Sequence, residues 1–269
     1  MIEAVVFYRD PAWRWIPVLA LALAAGIALS GTNGNLFLLI NHASEYLPNS
    51  FWEPVTLCGN TLLALALITP WLSKKPYSVW ATFLAAIPAS IFTRLIKAIV
   101  DVPRPPAVLP DSMLHVIGPA YHHSSFPSGD ALTIFVVAGI VWFTYRDWRV
   151  RSIALSFAIL VAISRIAVGV HWPVDVLVGA AAGWTSAWIG VWAAPRWQWG
   201  ATPPGRKFCA SVLLVCALAL FYQDMKLPEA AFFRWVVAAI ASMLAARVLW
   251  WPMARNTYER WHTKEWVIE

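Results

Sequence analysis

Charge is what this sequence has least of. Only 13% of its 269 residues are Asp, Glu, Lys or Arg, against about 25% in a soluble globular domain. So few charges cannot clothe a water-facing surface, which argues against a soluble protein. Cysteine is also scarce. Cys58, Cys209 and Cys216 each lie in an apolar stretch, with no CxxC spacing and no even-numbered framework. They read as small buried hydrophobes rather than disulfide or metal partners. The His and Asp residues lack spacings such as HExxH that would argue for zinc, so neither metal nor cofactor is expected. There is no internal repeat and no low-complexity tract. No basic run carries the interleaved aromatics of a base-stacking surface, so the net charge of +6 does not point to nucleic acid.

Apolar residues are abundant. Hydrophobic side chains make up 60% of the chain, the mean hydropathy is +0.62, and there are 18 tryptophans. Trp favours the level where the bilayer core meets the headgroups. A membrane span needs about 20 apolar residues. Six stretches qualify well: 15–31, 51–72, 77–100, 128–145, 152–169 and 174–194. Two more, 208–222 and 230–251, read as a closing hairpin. The expected fold class is therefore all-α: a polytopic transmembrane bundle of about eight spans. A six-helix core over residues 1–195 would be followed by a C-terminal hairpin and cytoplasmic tail over 196–269. The opening run follows Arg9 and Arg14 as a signal peptide would. It continues to Gly31, so an uncleaved first span is expected. The apolar run Leu36–Ile40 is too short to span and is expected to lie in the interface.

Eight spans put both termini on one side. Arg9, Arg14, Lys74, Lys75, Arg146, Arg149, Arg151, Arg196, Arg206, Lys207, Arg247, Arg255, Arg260 and Lys264 fall there, 14 of the 20 basic residues. The excess makes that side cytoplasmic. The other six are Arg94, Lys97, Arg104, Arg165, Lys226 and Arg234. The longest polar excursion, Asp101–Phe126, then lies on the extracytoplasmic side. Its five prolines forbid it from crossing lipid unsupported, so it is expected over the mouth of the bundle.

Three segments converge on that side. KAIVDVPRP (97–105) supplies Lys97 and Arg104; taken alone, they would be read as cations snorkelling to headgroups. FPSGD (126–130) opens a helix at Ser128 and Gly129, where unpaired N–H groups suit a phosphate; an ordinary N-cap is the plainer alternative. SRIAVGVHWPVD (164–175) places Arg165 at a depth where a cation is costly. It also sets Asp175 four residues after His171, the helical spacing for a carboxylate–imidazole bond. Such a bond fixes the imidazole tautomer and leaves the other nitrogen free to act as a nucleophile. Together the segments form a set for phosphoryl transfer. Cations hold the phosphoryl oxygens, the histidine attacks phosphorus to give a phosphohistidine, and water releases phosphate.

Lys97-x6-Arg104-Pro105, then Pro127-Ser128-Gly129, then Ser164-Arg165-x3-Gly169-x-His171-x3-Asp175 resemble the three-part signature of the type-2 phosphatidic acid phosphatase superfamily. The likeness covers 97–175 closely and the six-span pattern of 15–194 loosely. It implies a six-helix core and metal-independent removal of phosphate from membrane lipids. Lys97, Arg104, Ser128, Gly129 and Arg165 would bind phosphate, His171 would be the nucleophile, and Asp175 its orienting partner. The expected substrate is an isoprenoid diphosphate such as undecaprenyl diphosphate, taken at the periplasmic face of a bacterial inner membrane. A phospholipid or lipid A phosphatase, a lipid-to-lipid phosphotransferase, and a non-catalytic lipid-phosphate binder or transporter are the alternatives. The last two spans lie outside the family core.

One position departs from the pattern. The family's second motif usually ends in a histidine that protonates the leaving group, and here Asp130 stands in its place. Asp130 as the general acid is one reading, although an ordinary Asp titrates near pH 4. Another is that little acid is needed, because a diphosphate releases a lipid monophosphate, a far better leaving group than an alkoxide. In a third, His122 or His123 supplies the proton, or the site is inactive or repurposed.

Overall fold

A computed structural model of the chain describes residues 10–250. The expected cytoplasmic tail and the basic residues Arg9, Arg255, Arg260 and Lys264 lie outside them. The described residues contain no strand. Among the described residues twelve α-helices follow one another, with short 3-10 turns between some of them: α1 (Ala12–Leu29), α2 (Asn33–Ala43), α3 (Asn49–Leu57), α4 (Thr61–Leu67), α5 (Trp71–Lys74), α6 (Pro76–Ile99), α7 (Pro105–Val108), α8 (Gly129–Thr144), α9 (Trp148–Ala167), α10 (Pro173–Ala193), α11 (Pro203–Tyr222) and α12 (Ala231–Trp250).

Among these residues six helices are long and apolar enough to cross a membrane: α1, α6, α9, α10, α11 and α12 with its preceding turn. Helix α8 is apolar but has only 16 residues. The second expected span is helical but broken into α3, α4 and α5. Its chemistry explains the break. Gly59 and Asn60 interrupt the apolar run, and the Asn60 side chain accepts hydrogen bonds from the Leu62 and Leu63 N–H groups. Asn60 thus starts α4 as a helix cap. Pro70 marks the second break, immediately before α5.

Helix α10 is the centre of the bundle, packed against α8, α6 and α1. It approaches α8 closely because Gly179 and Gly183 face the Ser128 and Leu132 carbonyls, where a Cβ would collide with backbone. Gly179 and Gly183 are spaced as Gly-x3-Gly, the pattern of close helix packing, and here the contact is between helices of the same chain. Large apolar side chains face outward, among them Leu19, Ile153, Val215 and Met243, as a lipid-facing surface requires. Trp15, Trp148, Trp197 and Trp250 are exposed at the helix ends away from the polar loops, as in an aromatic belt.

Helix α2 does more than lie on the surface. Phe37 is fully buried, and its ring meets Trp172 at 5.1 Å. Buried Asn41 donates to the His115 and Ala167 carbonyls at 2.8 Å and accepts from the His115 N–H. It ties the long loop to the end of α9. The α11–α12 pair packs on α4. Buried Glu53 of α3 accepts the Glu229 and Ala230 N–H groups at 2.7 and 3.3 Å, anchoring the start of α12.

Candidate functional site

The C-terminal ends of α6 and α9 and the N-terminal ends of α8 and α10 meet at one end of the bundle, with the Asp101–Phe126 loop over them. Hydrogen bonds join all three motif segments there. Ser128 N–H donates to the Asp175 carbonyl at 3.0 Å, Ser125 N–H to Val102 O at 2.8 Å, and Arg104 N–H to His122 O at 3.0 Å. Lys97 Nζ donates to Ser124 O at 2.8 Å.

His171 sits one residue before the N-cap of α10, and Pro173 opens that helix. Its Nδ1 lies 3.5 Å from Asp175 Oδ2, a long contact, and both side chains are 3% exposed. The same carboxylate oxygen accepts the Ser125 hydroxyl at 2.5 Å and the Trp172 N–H at 2.9 Å. Ser125 Oγ also stands 3.4 Å from His171 Nδ1. The unit is therefore His171–Asp175–Ser125, of which the i,i+4 spacing marks only the first two. On the other side of the ring, Arg104 Nη1 lies 3.4 Å from Nε2. Burial pushes the imidazole pKa down from 6.5 to about 4; the Asp175 hydrogen bond opposes this, and the Arg104 and Arg165 charges add to it. The ring is neutral at pH 7, with one nitrogen turned to the carboxylate and the other to a guanidinium.

Arg104 also donates through Nε to His123 O at 2.9 Å and through Nη1 to Val170 O at 3.2 Å, and it lies over the Tyr121 ring at 5.0 Å. Burial and the Arg165 charge lower its pKa, against the Asp130 and Asp175 carboxylates and Tyr121. His122 and His123 are themselves exposed; it is their carbonyls that meet Arg104.

Arg165, on the last turn of α9, is 9% exposed. Its Nη2 pairs with Asp130 Oδ2 at 2.9 Å, and its Nη1 donates to the Thr56 hydroxyl on α3. Arg165 Nε is buried with no hydrogen-bond partner among the described residues. Ser128 caps α8, its Oγ accepting from Ala131 N–H at 3.4 Å. A Cβ at Gly129 would meet nothing within 4 Å, so the backbone there is open to a ligand. Arg94 is exposed one turn before Lys97. Ser125 and Thr56 went unnoticed in the sequence because nothing local distinguishes them; only the folded loop and the broken span bring them to the site.

Three cations, an unobstructed helix start and a buried neutral histidine backed by a carboxylate can hold and attack a phosphoryl group. Residues 78–199 match the family model of the PAP2 superfamily, and this region belongs to that superfamily. The chain is 31% identical over 140 residues to the bacitracin transport permease protein BcrC of Bacillus licheniformis, covering 50% of this chain and 66% of that protein. It is 31% identical over 147 residues to the undecaprenyl-diphosphatase of Sulfolobus acidocaldarius, covering 55% of this chain and 63% of that one. The chain thus spans just under two thirds of either relative. Among solved structures, Aquifex aeolicus LpxE superposes with a TM-score of 0.55 at 29% identity, over 59% of this chain and 93% of that one. With the apolar helices, these similarities make the chain an integral membrane protein.

Proposed function

We propose that the protein is a lipid phosphatase that removes the terminal phosphate of an isoprenoid diphosphate at the extracytoplasmic face. The supporting observation is His171: buried, and turned with one nitrogen to Asp175 and the other toward Arg104. The name of the Sulfolobus relative favours an undecaprenyl diphosphate-like substrate.

In this reading His171 Nε2 attacks the terminal phosphorus. The P–O bond to the lipid monophosphate breaks, and a phosphohistidine forms. Asp175, held by Ser125 and the Trp172 N–H, accepts the His171 Nδ1–H and stabilises the charge that develops on the ring. Lys97, Arg104, Arg165 and the α8 N-terminus at Ser128 and Gly129 offset charge on the phosphoryl oxygens. Water then attacks phosphorus, the P–N bond breaks, and inorganic phosphate leaves. These cations can supply the charge neutralisation, so the reaction is proposed to run without a metal. The site would face the periplasm of a bacterial inner membrane, with residues 1–195 as the catalytic unit and 196–269 as an appended hairpin and tail.

The test is phosphate release from detergent-purified protein in the presence of a chelator, with undecaprenyl diphosphate and phosphatidic acid side by side. Release from the diphosphate that disappears in His171→Ala supports the reading. Faster turnover of the monoester contradicts the substrate assignment. A second reading, a lipid-phosphate binder or transporter, is favoured by the name of the Bacillus relative; binding without release would support it.

A further inference from the structure

Asp130 occupies the position expected to hold a proton donor, but its carboxylate is turned to Arg165. We infer that Asp130 is a positioning residue: with Thr56 it clamps the Arg165 guanidinium in place for the transferred phosphoryl group, and it does not protonate the leaving group. The inference rests on the phosphatase reading of the same site.

The geometry has three parts. Asp130 Oδ2 takes Nη2 at 2.9 Å, and the Thr56 hydroxyl takes Nη1. Two fixed acceptors on different helices, α8 and α3, leave a planar guanidinium one orientation. Nε is then the buried donor with no acceptor among the described residues, and a phosphoryl oxygen is the group that would satisfy it. Third, the break between α3 and α4 backs the clamp. Thr56 lies just before the break, and a Cβ at Gly59 would stand 2.8 Å from the Asp130 Cβ. The corner therefore provides one jaw and presses against the other. This gives the broken second span a role: an unbroken helix would carry no glycine corner against Asp130.

An acid and a clamp differ in what their loss does. An acid matters more as the leaving group becomes more basic, by about 10²–10⁴-fold for a poor one. A clamp on Arg165 acts on the phosphoryl group, which every substrate shares. The experiment compares Asp130→Asn, Asp130→Ala and Thr56→Val on undecaprenyl diphosphate and phosphatidic acid, with His171→Ala as control. It also follows the thermal protection of each protein by inorganic phosphate. Losing a hydrogen bond to a charged group costs about 10- to 100-fold. The clamp predicts a loss near the upper end for Asp130→Ala and near the lower end for Asp130→Asn, whose amide oxygen still accepts from Nη2. Losses should be parallel on both lipids, the alkaline limb of the pH profile unmoved, and phosphate protection weakened in Asp130→Ala and Thr56→Val. Asp130→Asn as inactive as Asp130→Ala, with the larger loss on the monoester, overturns the inference. So does undiminished phosphate protection in Asp130→Ala and Thr56→Val, a readout that needs no turnover. Failure of the phosphatase reading looks different: no release by the wild type, or release that survives His171→Ala.

Discussion

Asp175 and Asp130 both lie in the first turn of a helix, where a carboxylate complements the helix dipole, yet they have opposite surroundings. Asp175 is 3% exposed, and its Oδ2 receives a hydroxyl and an N–H beside a neutral imidazole. Asp130 is 31% exposed and its partner is a guanidinium. Residue type is the same and both sit in the first turn, Asp130 as the second residue of α8 and Asp175 as the third of α10, where it also accepts the N-cap Trp172 N–H; the elements packed opposite decide the rest of what each can do. The loop carrying Ser125 turns Asp175 into a support for His171. The end of α9 and the α3–α4 corner tie Asp130 to Arg165.

The comparison can be broken first at His171. His171→Ala is expected to lower phosphate release by at least about 10³-fold, since a nucleophile has no substitute. Asp175→Asn comes next. It keeps the shape but removes the carboxylate that fixes the tautomer, for an expected loss of about 10⁴-fold at most, largely in kcat, measured on the diphosphate. If Asp175→Asn behaved like Asp130→Asn, the two carboxylates would not be playing different parts. Ser125→Ala removes one hydrogen bond to a charged group. It should cost about tenfold in kcat with little change in KM.

The pH dependence sharpens the same contrast. The His171 pKa is pushed from 6.5 down to about 4 by burial. The acid limb of kcat/KM should therefore fall well below pH 6, with the nucleophile unprotonated throughout the neutral range. Linkage has the same sign. An unfolded His binds its proton near 6.5 and the folded one near 4, so the unfolded state gains protons as pH falls between these values. Stability is full above pH 6.5 and declines toward pH 4. An acid limb near 6.5 would contradict the burial argument. The smallest effect on activity belongs to a third carboxylate, Glu53, which holds the start of α12 away from the site. Glu53→Gln should cost stability, about 1–3 kcal/mol for the weakened buried bonds, seen as a lower Tm with kcat nearly unchanged.

The sequence showed the general outline more clearly than the partners. Long apolar runs bounded by basic residues revealed the spans because lipid demands them. The three motifs met at one end, as their order along the spans implied. The break in the second span was less visible. Gly59-Asn60 is a weak stop inside an apolar run, and Asn60 works as a cap only once α3 and α4 separate. The second of the adjacent serines Ser124 and Ser125 became a partner of Asp175 only when the loop folded back. The i,i+4 spacing of His171 and Asp175 suggested a shared helical face, but His171 lies just outside α10, and their contact is longer than the spacing implied. Asp130 read as an anomaly because its partner, Arg165, is 35 positions away. Nothing in the sequence singled out Glu53, because the N–H groups it accepts, at Glu229 and Ala230, lie more than 170 positions away.

The most direct test of the central claim is chemical trapping. Lipid diphosphate labelled on its terminal phosphate would be mixed with the protein and quenched in alkali, where a phosphohistidine survives. The account predicts label on the wild-type chain that maps to His171, is lost on acid treatment, and is absent from His171→Ala. Label on another residue, or phosphate release that continues in His171→Ala, would contradict it.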